Sequence, residues 1–168
     1  RAIAEPLTAG ALLLVDYGYP RREYYHPERA AGTLLCHYRH RVHDDPLILP
    51  GLQDITASVD FTAVADAALT AGLDIAGYAS QNYFLFGCGL MDLLADEIPP
   101  DLPLEKGGGE TGGILNSADS TRYLEQVRQV KLLTLPGEMG DRFHALALTR
   151  NLDLPLRGFA VRDERGRL

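Results

Sequence analysis

Among 168 residues there are only two cysteines, Cys36 and Cys88, and no tryptophan. Two thiols in segments of different character do not make a disulfide framework, so buried or free thiols and a reducing compartment are expected. No apolar run approaches the roughly 20 residues that cross a bilayer, and no basic-then-apolar leader opens the chain. Basic charge is in deficit, with 16 Lys and Arg against 23 Asp and Glu, a net charge of -7 and a pI near 5.1. That balance weighs against nucleic acid as a partner, because phosphate-backbone binding needs clustered cations. Two catalytic signatures are missing as well. There is no Gly-x-Ser-x-Gly elbow to expose a nucleophile. The glycine cluster from Gly107 to Gly113 follows no strand and ends in no Gly-Lys-Ser/Thr, so it is not read as a phosphate cradle.

What is present reads as one α/β domain over residues 1–150 with a peripheral, Arg-rich tail over 151–168. A hydrophobic share of 46% with 23% charged residues is enough for a real core. Leu12-Leu13-Leu14-Val15-Asp16-Tyr17 predicts a buried parallel strand over 11–16 that delivers Asp16 to its carboxyl end, where open α/β sheets bind ligands. Residues 1–7 read as the tail of a helix, and the chain as a piece of something longer. Residues 19–50 lack either periodicity and read as an insertion. Asp60 stands at a helix N-cap, Phe61, Val64, Ala68 and Leu69 recur at helical spacing, and Gly72 stops the helix. A strand follows over 73–78, then a helix capped by Ser80 and packed through Phe84, Leu85, Cys88, Met91 and Leu94. Proline and glycine over 97–120 predict a mobile surface loop. A helix near 121–133 presents Tyr123, Leu124, Val127 and Val130, and 143–149 reads as the last strand. Three strands alone leave an open sheet edge.

The chemistry concentrates between Gly32 and Pro46, which holds His37, His40, His43, Arg39, Arg41, Asp44 and Asp45. The three histidines could lie on one side of a helix and, with Cys36, resemble a zinc set, but the interleaved arginines would repel a dication. A carboxylate beside a histidine can hold the imidazole in one tautomer and keep it basic, which suits proton removal. Paired aspartates can equally cradle a guanidinium, or Asp54 and Asp60 can simply cap turn and helix. Charge is also uneven: residues 21–43 are arginine-rich and 92–125 acidic, either an anion-facing half or two solvated patches.

Asp16-Tyr17-Gly18-Tyr19, then His40-Arg-Val-His43-Asp44, then Pro50-Gly51-Leu-Gln-Asp54-Ile-Thr56-Ala-Ser-Val-Asp60-Phe61, resemble in that order the MidA-type S-adenosylmethionine-dependent methyltransferases. Gln81 with Phe84-Leu85, and Met139-Gly140 with Arg142-Phe143, extend the likeness over roughly residues 1–150. That family includes bacterial proteins and a mitochondrial complex I assembly factor that methylates an arginine of a complex I subunit. The resemblance implies the C-terminal portion of a class I, Rossmann-like sheet whose last strand is antiparallel, with a long insertion after the first strand present. It also implies S-adenosyl-L-methionine as cofactor and a protein substrate. The compartment would be the bacterial cytoplasm, or the mitochondrial matrix in a eukaryote. The Gly-rich cofactor turn is absent from these residues, so the chain alone is not expected to bind cofactor well. Under this reading His40, His43, Asp44 and Asp54 are catalytic candidates, and Asp16, Tyr17, Asp60 and Gln81 face the substrate. The rival expectation is a non-catalytic binding or assembly module of the same fold.

Overall fold

The computed structural model describes residues 3–97 and 117–168. In chain order, β1 (Gly10–Tyr19) leads through Pro20 into the short α1 (Arg21–Tyr24), then β2 (Leu35–Tyr38), β3 (Arg41–His43), β4 (Asp54–Thr56) and β5 (Val59–Asp60). Helix α2 (Phe61–Thr70) precedes β6 (Asp74–Ser80), α3 (Gln81–Gly87) and α4 (Leu90–Glu97). Beyond the undescribed residues come α5 (Ser117–Thr134), α6 (Met139–Arg142) and β7 (Phe143–Arg150), with single 3-10 turns at Arg157–Phe159 and Arg165–Arg167.

The main sheet has the order β5-β1-β7-β6. Strand β7 lies antiparallel between β1 and β6, so the last long strand is the reversed one that the family resemblance implies. Strand β1 departs from the expectation of a wholly buried parallel strand. It pairs antiparallel with β7 from Gly10 to Tyr17 and finds a parallel partner only where Gly18 and Tyr19 meet Val59 and Asp60. Its side chains alternate, as a pleated strand requires. Leu12 and Leu14 pack with Phe61, Tyr78, Leu146 and Leu148, while Leu13 and Val15 on the other face are 49% and 47% exposed. The reason is local: among the described residues nothing covers that side of β1. A groove of about 390 Å³, lined by Ile3, Leu14, Ala63, Ala67 and Leu148, opens on the packed face.

Helix α2 forms as its sequence predicts. The Asp60 carboxylate accepts from the Ala63 N–H at 3.0 Å, and Phe61, Ala65 and Ala68 are buried. Gly72 ends it at φ +76°, a conformation side chains rarely adopt. Four other expectations change. Residues 3–8 are turns and bends rather than a helix tail, and the Arg150 guanidinium holds them by donating to the carbonyls of Ala4 and Leu7 as well as Ala71. The helix expected from Ser80 through Leu94 breaks at Gly89, φ +94°, into α3 and α4, leaving Met91 59% exposed and Cys88 exposed. Ser80 occupies the N-cap position, but its hydroxyl bonds Asn82, whose oxygen accepts from Tyr83 N–H. On α5, Leu124 faces solvent while Tyr123, Val127 and Val130 are half-buried.

The tail is not peripheral. The Phe159 ring packs with Ala79, Ala145 and Ala147 on the second face of the sheet. Asp163 and Glu164 bond the backbone of Tyr78, and Arg165 bonds the Ile75 carbonyl. An otherwise open edge strand, β6, is thereby covered. The mobile loop expected over 97–120 lies largely outside the described residues, as does the glycine cluster at 107–113; within its bounds Glu97 closes α4 and Ser117 opens α5.

Candidate functional site

The residues at the carboxyl ends of β1 and β6 form one row, because register places Asp16 opposite His144 and His144 opposite Ser80. Asp16 is exposed, and its carboxylate accepts from the Tyr17 N–H at 2.8 Å. Tyr17 meets Phe143 edge to face at 5.5 Å. His144, only 5% exposed, stacks on Tyr78 at 5.2 Å and 7°, with Phe61 tilted against both rings. Its Nδ1 and the Tyr78 hydroxyl are buried with no hydrogen-bond partner among the described residues. Burial lowers the His144 pKa, with Glu164 opposing, so the ring is held neutral. Burial likewise pushes the Tyr78 phenol up. Below them Glu164 takes Arg162 at 3.1 Å and Arg167 at 2.9 Å, and Arg167 reaches Glu23 on α1. Sequence reading missed this cluster, since its members come from β6, β7, α1 and the tail. The one local signal was a histidine at the second position of a largely apolar strand.

The histidine-bearing insertion is a second sheet of order β3-β2-β4, not a helix or an irregular loop. Arg39 and His40 form its hairpin turn with φ of 44° and 64°, the left-handed pair that two-residue hairpins use. His40 is therefore exposed at the tip. Cys36 lies between His43 and Ile55 in one cross-strand row, and His37 between Val42 and Asp54 in the next. Successive rows face opposite sides, so His43 and Asp54 do not share a face. Both ring nitrogens of His43 are buried without partners among the described residues. Cys36 is fully buried, and burial, then the Asp45 and Asp44 carboxylates, raise its pKa, making it an inert thiol. The three histidines do not converge, and no metal cluster occurs among the described residues.

The remaining candidates are engaged structurally. Asp60 caps α2 and lies 3.6 Å from Arg21. Gln81, 6% exposed, donates to the Leu133 carbonyl at 2.9 Å and ties α3 to α5. No hydrogen bond or ion pair joins Asp16 to His40, His43, Asp44 or Asp54 among the described residues. A nucleotide cofactor needs a strand, a glycine turn and a helix N-terminus with free N–H groups. Here Asp60 occupies the first turn of α2, β1 runs into Pro20, and α3 follows Ser80 directly. The described residues do not fit that group, and its cradle is not built from them.

Comparison with known proteins supplies the rest. Residues 1–79 match the model of the family described as "Putative S-adenosyl-L-methionine-dependent methyltransferase". A protein of Burkholderia thailandensis crystallised with S-adenosyl-homocysteine shares 42% identity over 95% of this chain, with a TM-score of 0.79. These likenesses support the MidA-type methyltransferase family. A second Burkholderia thailandensis crystal structure superposes on 99% of the chain with TM-score 0.84 and 41% identity. Among curated relatives, the mitochondrial protein arginine methyltransferase NDUFAF7 of Rattus norvegicus is 30% identical over 84% of the chain. Its Drosophila melanogaster homologue is 31% identical over 83%. The chain spans 27% and 26% of these two relatives, and 36% and 40% of the two solved ones.

Proposed function

We propose that this chain is the acceptor-side portion of an S-adenosylmethionine-dependent methyltransferase that modifies an arginine of a protein connected with respiratory-complex assembly. The observation that carries the reading is the reversed β7 between β1 and β6, together with 42% identity to a structure holding S-adenosyl-homocysteine. The arginine specificity and the link to a complex I-type subunit follow the names and the family of the mitochondrial relatives. Their names also support a mitochondrial compartment; the proposal places the protein in the matrix, or in the cytoplasm of a bacterium. No described helix is long and apolar enough to cross a membrane.

When bound by the rest of the protein, S-adenosylmethionine supplies an electrophilic methyl group. The residues present here serve the acceptor. The Asp16 carboxylate, fixed by the Tyr17 N–H at the sheet rim, presents oxygen to a guanidinium. Of the two candidate imidazoles His40 is the exposed one and takes the proton that an arginine must lose, whereas His43 has its nitrogens enclosed. One observation favours a second reading, a non-catalytic assembly module: the candidate acids and bases are dispersed over two sheets. Calorimetric titration of the full-length protein with S-adenosylmethionine, followed by mass spectrometry of candidate acceptors, separates the two. Binding with arginine methylation is expected, reduced by at least about tenfold in His40→Ala by the usual weight of a general base. Absence of cofactor binding in the full-length protein leaves only the module.

A further inference from the structure

The insertion leaves the main sheet at one place. β1 ends at Tyr19, and the chain returns through β5, paired to Gly18 and Tyr19 at the carboxyl rim. A Cβ on Gly18 would stand 2.2 Å from the Val59 carbonyl, so this closure depends on glycine there. The β3-β2-β4 sheet is thus an arm rooted beside Asp16, and the outer edges of β3 and β4 have no strand partner among the described residues.

Its two faces differ. One carries Cys36, His43, Arg41 and Ile55, with the thiol and the imidazole nitrogens enclosed and Ile55 exposed but without a carboxylate in its row. The other carries Leu35 and Val42, 44% and 57% exposed, around the row Val42, His37, Asp54. Asp54 is exposed and has no ion pair among the described residues. Alternation along β3 sends Arg41 to the opposite face. An open apolar surface with one unneutralised carboxylate and free strand edges is suited to an extended segment that brings apolar side chains and one cation.

We propose that this face docks an extended segment of the acceptor protein bearing an arginine other than the one that reaches Asp16, Leu35 and Val42 taking its apolar side chains and the Asp54 carboxylate its guanidinium. The proposal rests on the methyltransferase reading and names the substrate surface within it. The Asp54 carboxylate accepts the two parallel N–H donors of the guanidinium, while the neighbouring segment continues along a free strand edge of the arm.

The test uses the full-length protein and a fluorescent peptide in which alternating valine and threonine flank a central arginine, beside the same peptide with citrulline. Anisotropy should show preference for arginine. Asp54→Asn should weaken the arginine peptide about tenfold, to the citrulline level, the equivalent of one charge-assisted contact. Val42→Asp should weaken both peptides while leaving S-adenosyl-homocysteine affinity and molecular mass unchanged. Equal binding of the two peptides by wild type, or undiminished binding by the variants, overturns the proposal. A fall in mass with Val42→Asp overturns it in favour of a second copy on this face, and lost S-adenosyl-homocysteine affinity in favour of the cofactor-binding portion. A protein that binds the arginine peptide but not S-adenosyl-homocysteine sinks the enzyme reading and leaves the docking face intact. The reverse pattern sinks the docking face alone.

Discussion

His144 shows how a single residue's meaning changes with its surroundings. In the sequence it is the second residue of a strand; in the fold it is enclosed between Tyr78 and Phe61 with Nδ1 unpaired among the described residues. Its folded pKa lies below the ordinary imidazole value of about 6.5, burial being the main cause. A group with a depressed folded pKa binds fewer protons in the native state, so stability rises with pH across the interval between the two values. The His144 contribution is full above about pH 6.5 and is lost as pH falls toward the lower folded value. Urea midpoints measured down through that window should decline in wild type and decline less in His144→Gln. Identical slopes for the two proteins would falsify the assignment of this dependence to His144. At the same scale, the sequence correctly gave Asp60 a capping role because an N-cap is a local contact. It could not separate His40 from His43. That distinction depends on which nitrogen faces loop or solvent, and so on the hairpin register.

At the scale of elements, periodicity located β6, β7 and α2, because alternation and helical spacing are short-range signals tied to burial. It failed in the insertion, where strands of three or four residues are too short to show a period. It also failed at Gly89, where one backbone dihedral divides a continuous helical pattern. The contact between β6 and the tail is equally invisible in the chain order. Gly77 lies at the register shift in β6, and a Cβ there would come within 2.3 Å of the Phe159 ring. Gly77→Ala should therefore destabilise by about 1–3 kcal/mol through overpacking, and Phe159→Ala by about 3–5 kcal/mol. The double variant, with the ring gone, should cost less than the sum by about 0.5–3 kcal/mol in a double-mutant cycle. Simple additivity in denaturant titrations would show that the two residues do not press on one another.

For the whole molecule, the decisive feature is which surfaces are closed. The tail closes β6 on one side of the sheet through Phe159, Asp163, Glu164 and Arg165. Further along that same face, β1 presents Leu13 and Val15 to solvent, and the apolar groove opens on the opposite, packed face. Removing residues 152–168 from the full-length protein should expose the β6 edge and the alanine-lined face, giving a broad thermal transition, dye binding and aggregation. A cooperative melt at the wild-type midpoint would show that the tail is dispensable after all.

The sequence by itself determined the family resemblance, the three long strands, the capped helix and the residue types available for acceptor chemistry, since each is written in local pattern or ordered motif. Tertiary structure decided how these are shared out. Strand reversal brought His144 between Asp16 and Ser80, the hairpin sent His43 and Asp54 to opposite faces, and the tail became part of the core. Those outcomes depend on register and on contacts between residues far apart in the chain. Spacing along a single segment does not encode them.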